Sequence, residues 1–200
     1  MKALEAIRAR RAVKHYDPDF VMPEDHENEL RDLLRQSPTS FNLQNWRFVI
    51  VKDADLRGQL REAAWGQAQV TEASLLFVLC ADLKAWDKSP ERYWEKAPQE
   101  AQDILVPMIK PFYKDSETQQ RDEAMRSIGI ASQTLMLASK AMGYETCPMI
   151  GFDSAKVGEL INLPDDHVIG MMITVGKGIK PAWDKPGYIS DEEVFVTDKF

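Results

Sequence analysis

The chain has 200 residues, 44% hydrophobic and 28% charged, with a net charge of −7. That length fits one domain over residues 1–200 with room for a sizeable core. The acidic balance argues against nucleic acid held through its phosphates, and no apolar run approaches the ~20 residues that a membrane helix needs. The charged N-terminal stretch MKALEAIRARR lacks the apolar centre of a signal peptide. Cys80 and Cys147 make no disulfide framework, so a reducing, cytoplasmic setting is expected.

In chain order, residues 2–10 read as a short helix whose Ala3, Leu4 and Ile7 share a buried face. Arg8, Arg10, Arg11 and Lys14 crowd together there. Cations at a helix end meet unpaired carbonyls, and a local positive cluster can also hold a phosphate; both readings stand at this point. Val13–Asp17 is extended. A second helix begins at Pro23 and stops at Ser37-Pro38, because the residue before proline avoids helical geometry. Ser37–Phe48 (SPTSFNLQNWRF) is rich in uncharged hydrogen-bonding groups. Residues two apart on an extended chain point the same way, so Asn42, Gln44 and Trp46 are expected on one face. Amides there suit the edge of a neutral heterocycle, and a plain polar turn fits equally well.

Arg47–Lys52 reads as a strand, Asp53–Ala64 as a helix, and Gln67–Glu72 as a short helical or looped piece. Leu75–Ala81 is a continuous apolar run, the pattern of a strand buried on both faces. Leu83–Glu117 is aromatic and proline-rich. Its prolines argue against one long helix, and it reads as a lid, a pocket wall or surface packing. Thr118–Met142 is the longest helix, apolar on most sides from Ile128 onward, with Gly143 as its stop. TCPMIGFD (146–153) reads as a segment whose Gly151 lets main chain approach a ligand, followed by a helix to Leu160. Val168–Val175 is a third strand, Gly176–Gly187 a loop and Glu193–Thr197 a last strand. The order gives an α+β fold with a small sheet flanked by helices.

The histidines are scattered and no CxxC, GxSxG or P-loop occurs, so no metal site is expected and protein-borne covalent chemistry is unlikely. A cofactor is expected to carry any reaction.

Three segments, in order, resemble FMN-dependent nitroreductases. RARRAVKHYD (8–17) is similar to their opening RRSVRxF, SPTSFNLQNW (37–46) to APSSxNxQPW, and PMIGFD (148–153) to P-x-x-G-[FY]-D. The resemblance implies a central, mostly antiparallel sheet with a C-terminal strand exchanged between subunits of a homodimer, and FMN at the subunit interface. It implies NADH or NADPH as electron donor and a small nitroaromatic, quinone or related acceptor. By position, Arg10 and Arg11 would hold the FMN phosphate or ribityl chain, beside Ala12, and Lys14 would approach the pyrimidine side. Ser40 and Asn42 would reach the cofactor from the other subunit, and Gln44 belongs to their motif. Gln67 and Gln69 would meet the ring edge, while Pro148, Met149, Ile150 and Gly151 would run along the isoalloxazine. Phe41, Trp94, Phe112 and Tyr113 are expected on the substrate-pocket wall. No catalytic side chain is assigned. Ala12 replaces the usual Ser and Asn45 the usual Pro. A C-terminal phosphate-binding Arg has no match; Lys185 is the nearest candidate, with Lys177 and Lys180 behind it. Members of the fold that dehalogenate substrates or fragment flavin, and non-catalytic flavin binders, are the alternatives.

Overall fold

A computed structural model describes residues 1–200. The elements run α1 (Ala3–Ala9), α2 (Glu24–Leu34), a 3-10 turn (Ser40–Asn42), β1 (Trp46–Val51), α3 (Ala54–Ala63), α4 (Gln69–Glu72) and β2 (Leu75–Asp82). Two 3-10 turns, Ala85–Asp87 and Pro90–Tyr93, lead to α5 (Gln99–Tyr113) and α6 (Glu117–Ala141). Then come β3 (Glu145–Met149), α7 (Ser154–Leu160), β4 (His167–Gly176) and α8 (Asp191–Val194). The four strands form an antiparallel sheet in the order β1-β2-β4-β3.

Every residue of β2 is buried, because the sheet is covered on both faces. Phe77 and Leu79 point toward α2 and α6, where they meet Leu30, Leu34, Ile128 and Leu135. Leu76 and Val78 point the other way, onto Leu60 of α3 and Val157 of α7. This is the period-two alternation of a strand with two apolar faces. Burial pushes the Cys80 thiol on this strand up to about 12, so it is an inert part of the packing. Helix α6 lies unusually close to β4. A Cβ built on Gly170 would fall 2.5 Å from Cγ2 of buried Ile128, so only glycine allows that approach. Gly143, at φ +88°, ends α6 in the left-handed conformation that glycine adopts without strain.

Two expectations change, at the C-terminus and in α1. Residues 145–149 form a strand that the sequence did not announce. Pro148 is tolerated because β3 is an edge strand, paired with β4 alone, and needs no second set of donors. Glu193–Thr197 is not a strand: residues 191–194 form a helical turn, where Ser190 Oγ accepts the N–H of Glu193 and three acids occupy the first turn. The 83–117 segment is not one long helix, but two 3-10 turns followed by a helix over 99–113 that includes Pro107 and Pro111. The carbonyls these prolines leave unpaired, those of Asp103 and Pro107, belong to exposed residues. In α1 only Ala6 is buried; Leu4 and Ile7 are 64% and 51% exposed. No helix is long and apolar enough to cross a membrane.

Candidate functional site

The edge strand β3 is extended on its free side by the chain entering from α1. Val13 N–H donates to Thr146 O (3.0 Å), and Ala12 bridges Thr146 in parallel. Arg10–Lys14 therefore run beside Pro148. All of these but buried Val13, with Ile7, Arg8, His15 and most of the segment 181–188, line a cavity of about 770 Å³. Five cations, Arg8, Arg10, Arg11, Lys14 and Lys185, face one carboxylate, Asp184. None of the five makes an ion pair within the chain. Arg11 is partly committed: its Nη1 donates to the carbonyls of Arg8 and Arg10, both at 2.8 Å, at the end of α1. Lys185 Nζ sits 4.0 Å from the centre of the Tyr188 ring. Unpaired cations concentrated on a chain of charge −7 make a strong local field for an anion.

Behind this cavity, Met149 is buried in the core and offers its main chain only, whereas Ile150 is 79% exposed. Gln67 Nε2 donates to Gly151 O (2.8 Å), and Gln69 Nε2 donates to Gln67 Oε1 (2.9 Å). The two glutamines thus orient each other against the PMIG backbone. Trp65, at φ 57° and 72% exposed, covers Gly151, where an added Cβ would meet its ring at 3.2 Å. Nothing in the sequence motifs marks Trp65.

A second cluster gathers around Ser40–Gln44. The expected strand-like alternation is absent, because Phe41, Asn42 and Gln44 have φ of 51°, 52° and 44°. Non-glycine residues in the left-handed region cost on the order of 1–3 kcal/mol each, so surrounding structure must hold them. It does. Trp94 Nε1 donates to Phe41 O (2.9 Å), and Asn42 Nδ2 to Tyr93 O (2.8 Å). The Tyr113 hydroxyl donates to Ser40 Oγ (2.8 Å), and Ser40 N–H to Glu123 Oε1 (3.2 Å). Gln44 N–H donates to Thr39 Oγ1 (2.9 Å). Phe41 packs edge-on against Phe112 and Tyr113. Phe112 is half exposed and can face a ligand, whereas Tyr113 is buried within this chain. Burial pushes its phenol pKa up, against the Ser40 hydrogen bond, so it stays protonated.

The chain thus brings Arg10, Arg11, Ala12, Lys14, Pro148 and Lys185 to one cavity, and links Gln67, Gln69 and Gly151 beside it. Ser40, Asn42, Gln44 and the aromatic residues form the separate cluster and do not line that cavity. Lys177 lies outside the lining, with its ammonium over the Phe20 ring.

Asp82, Asp166 and His167 also converge, which their positions in sequence did not signal. Lys88 Nζ lies between the two carboxylates, 2.9 Å from Asp82 Oδ2 and 2.7 Å from Asp166 Oδ2, so that their charge is already paired. Hydrogen bonds from Lys88 and then His167 hold the Asp166 carboxyl below the usual range. Burial works to lower the Lys88 pKa, but its bonds to Asp166 and Asp82 outweigh this and raise it.

Residues 7–177 match the nitroreductase family. Protein DrgA of Synechocystis is 52% identical over 94% of this chain and 88% of its own length. YodC of Bacillus subtilis, provisionally named an NAD(P)H nitroreductase, is 33% identical over 90% of this chain and 91% of its own. A solved structure from Exiguobacterium sibiricum, in complex with FMN, superposes with a TM-score of 0.90 at 24% identity, covering 98% of this chain and 97% of that one. The antiparallel sheet and its helices are accordingly those of the nitroreductase fold, and the chain belongs to the nitroreductase family.

Proposed function

We propose that this protein is an FMN-dependent oxidoreductase that takes electrons from NADH or NADPH and passes them to a small acceptor such as a nitroaromatic or a quinone. The cavity between Arg8–His15, Pro148 and Pro181–Tyr188 carries the proposal. Its residues fit FMN on their chemistry. Unpaired guanidinium groups at Arg10 and Arg8 suit a phosphate, which needs charge-assisted donors. Lys14 and Lys185 add cations on either side. Gln67, held by Gln69, offers a neutral amide beside the Gly151 main chain, as a heterocycle edge requires. Bound there, FMN would supply the two-electron chemistry, accepting electrons from a nicotinamide and yielding them to the acceptor. The residues of this chain would bind and orient it, and a cation at Lys14 would favour the anionic reduced state.

The Ser40 turn lies off the cavity, so in this reading a second copy of the chain supplies it. The uncovered apolar side chains of Leu4, Ile7 and Trp183 support a homodimer. The Exiguobacterium structure holds FMN, and the name of YodC specifies NAD(P)H as donor; both support the assignment.

The test is the visible absorption spectrum of the purified protein, before and after anaerobic NADH and then NADPH. Flavin absorption that bleaches with one donor and returns with a quinone is expected. Colourless protein that does not bind added FMN would overturn the flavin reading. Yellow protein that neither donor bleaches would leave a flavin binder without this activity.

A further inference from the structure

The Ser40–Asn42 turn has its hydrogen-bonding capacity divided in one particular way. Ser40 N–H is taken by Glu123 Oε1 on α6. Ser40 Oγ already accepts from Tyr113 at the end of α5, which leaves the Ser40 hydroxyl proton free to be donated outward. The Asn42 amide nitrogen is committed to the carbonyl of Tyr93, so this exposed side chain presents its oxygen as a free acceptor. Between them, Trp94 Nε1 holds the carbonyl of Phe41. All the anchors come from the excursion between β2 and α6 or from the first turns of α6. None of the three anchoring side chains lines the cavity.

We propose that Tyr113, Trp94 and Glu123 are positioning residues that fix the polarity of this turn, presenting Ser40 as a donor and Asn42 as an acceptor to FMN held by a second copy of the chain. The inference rests on the proposed flavin function. A hydroxyl donor suits the phosphate, ribityl or ring-carbonyl oxygens of FMN, and an amide oxygen suits its ring N–H. The excursion over residues 83–117 is then a brace for the cofactor-facing turn. Because the Tyr113 phenol stays protonated in its buried setting, the donor role of Ser40 is constant across the working pH range. The Gln120 amide, which donates to Tyr113 O (2.8 Å) and accepts from Lys84 Nζ (2.8 Å), fixes the end of α5 from which that phenol reaches Ser40.

The experiment is titration of the flavin-free, full-length protein with FMN, read by quenching of flavin fluorescence, alongside thermal midpoints of the same preparations. Ser40→Ala and Tyr113→Phe are each expected to weaken FMN binding about 5-fold, the loss of one hydrogen bond. The double variant should be no weaker than either single one, because Tyr113 acts only through the Ser40 hydroxyl. A merely structural Tyr113 would lower affinity equally in both backgrounds, so the two losses would multiply to about 25-fold and overturn the proposal. Wild-type affinity in Tyr113→Phe would overturn it as well. Glu123→Gln keeps an oxygen for Ser40 N–H and should retain affinity, whereas Glu123→Ala should lose it; equal behaviour of the two removes Glu123 from the brace. Failure of the wild-type protein to bind FMN would instead overturn the flavin reading on which the inference rests.

Discussion

The cavity wall at Arg8–Lys14 and the turn at Ser40–Gln44 have the same task in the proposed function, yet their polar groups are satisfied in opposite ways. Along the wall, five cations face one carboxylate and none has an ionic partner in the chain. The turn carries no charge, and its strained backbone is held by hydrogen bonds to Tyr93, Trp94, Tyr113 and Glu123. The wall is electrostatically incomplete until an anion arrives. The turn is already shaped by the chain, with the Ser40 hydroxyl proton and the Asn42 oxygen left free, and it spends conformational energy on that shape. One side supplies attraction and the other supplies orientation.

The largest expected effect breaks the attraction. Arg10→Ala removes a charge-assisted phosphate contact of about 1.5–3 kcal/mol, so FMN should bind roughly ten- to a hundred-fold more weakly in a fluorescence titration. Affinity equal to the wild type would take Arg10 out of the site. Added salt sharpens the same contrast. Raising ionic strength screens the cations, so wild-type FMN affinity should fall, while the relative loss caused by Ser40→Ala should stay constant. A Ser40→Ala penalty that shrank with salt would place the turn on the electrostatic side too.

Next in size is Gly170→Ala. Its Cβ would collide with the side chain of Ile128, which is buried and branched and cannot swing aside. Helix α6 must shift, at about 1–3 kcal/mol of stability. Glu123 lies on the same helix, so the Ser40 anchor should loosen with it while the cavity wall keeps its geometry. A lower thermal midpoint is expected, with FMN affinity reduced less than by Arg10→Ala. An unchanged midpoint would mean that α6 does not need this close approach.

The two regions also differed in how far the sequence disclosed them. The basic cluster is contiguous and was visible as composition alone, because neighbours in sequence stay neighbours in space. The apolar run of β2 and the spacing of α6 were equally plain, since burial on two faces selects mostly apolar or small residues. The turn was harder. Asn42 and Gln44 were expected to alternate as in a strand, but no glycine announces the left-handed geometry at Phe41 and Asn42. That geometry exists because residues about 50 to 80 positions later hold it. Glu123 illustrates the limit: it is one acid on a polar helical turn, and only tertiary structure aims it at Ser40 N–H. The β3 strand was hidden by Pro148, whose missing N–H matters in a central strand but not at an edge. The spacing of Leu4 and Ile7 marked an apolar face in α1 without saying what covers it, and within one chain nothing does.

A smaller effect tests whether single hydrogen bonds matter in the turn. Trp94→Phe keeps an aromatic ring but removes the donor to Phe41 O, which then loses its partner. A cost of about 1 kcal/mol in stability is expected, seen as a modest fall in denaturant midpoint. No change would mean that the positive φ at Phe41 is held by the packing of its ring against Phe112 and Tyr113 alone.

The smallest effect is a pH dependence confined to the side of the turn. The excursion that carries Trp94 leaves the sheet at Asp82 and is tied down by Lys88, which bridges Asp82 and Asp166. Bonds from Lys88 and His167 depress the folded-state pKa of Asp166. A depressed carboxyl pKa contributes stability in full above the unfolded value, about 3.9, and loses it as pH falls through the lower folded value. Lys88 is the mirror case. Its raised pKa contributes below the unfolded value, about 10.4, and is lost as pH rises through the folded one. Asp166→Asn should therefore lower the thermal midpoint slightly near neutral pH. The gap to the wild type should stay level down to about pH 5 and close below about pH 4, where the wild-type carboxyl takes up its proton. A gap that widened on acidification would contradict the depressed pKa. Because no carboxylate of this bridge touches the cavity wall, FMN affinity at neutral pH should be the same in Asp166→Asn as in the wild type.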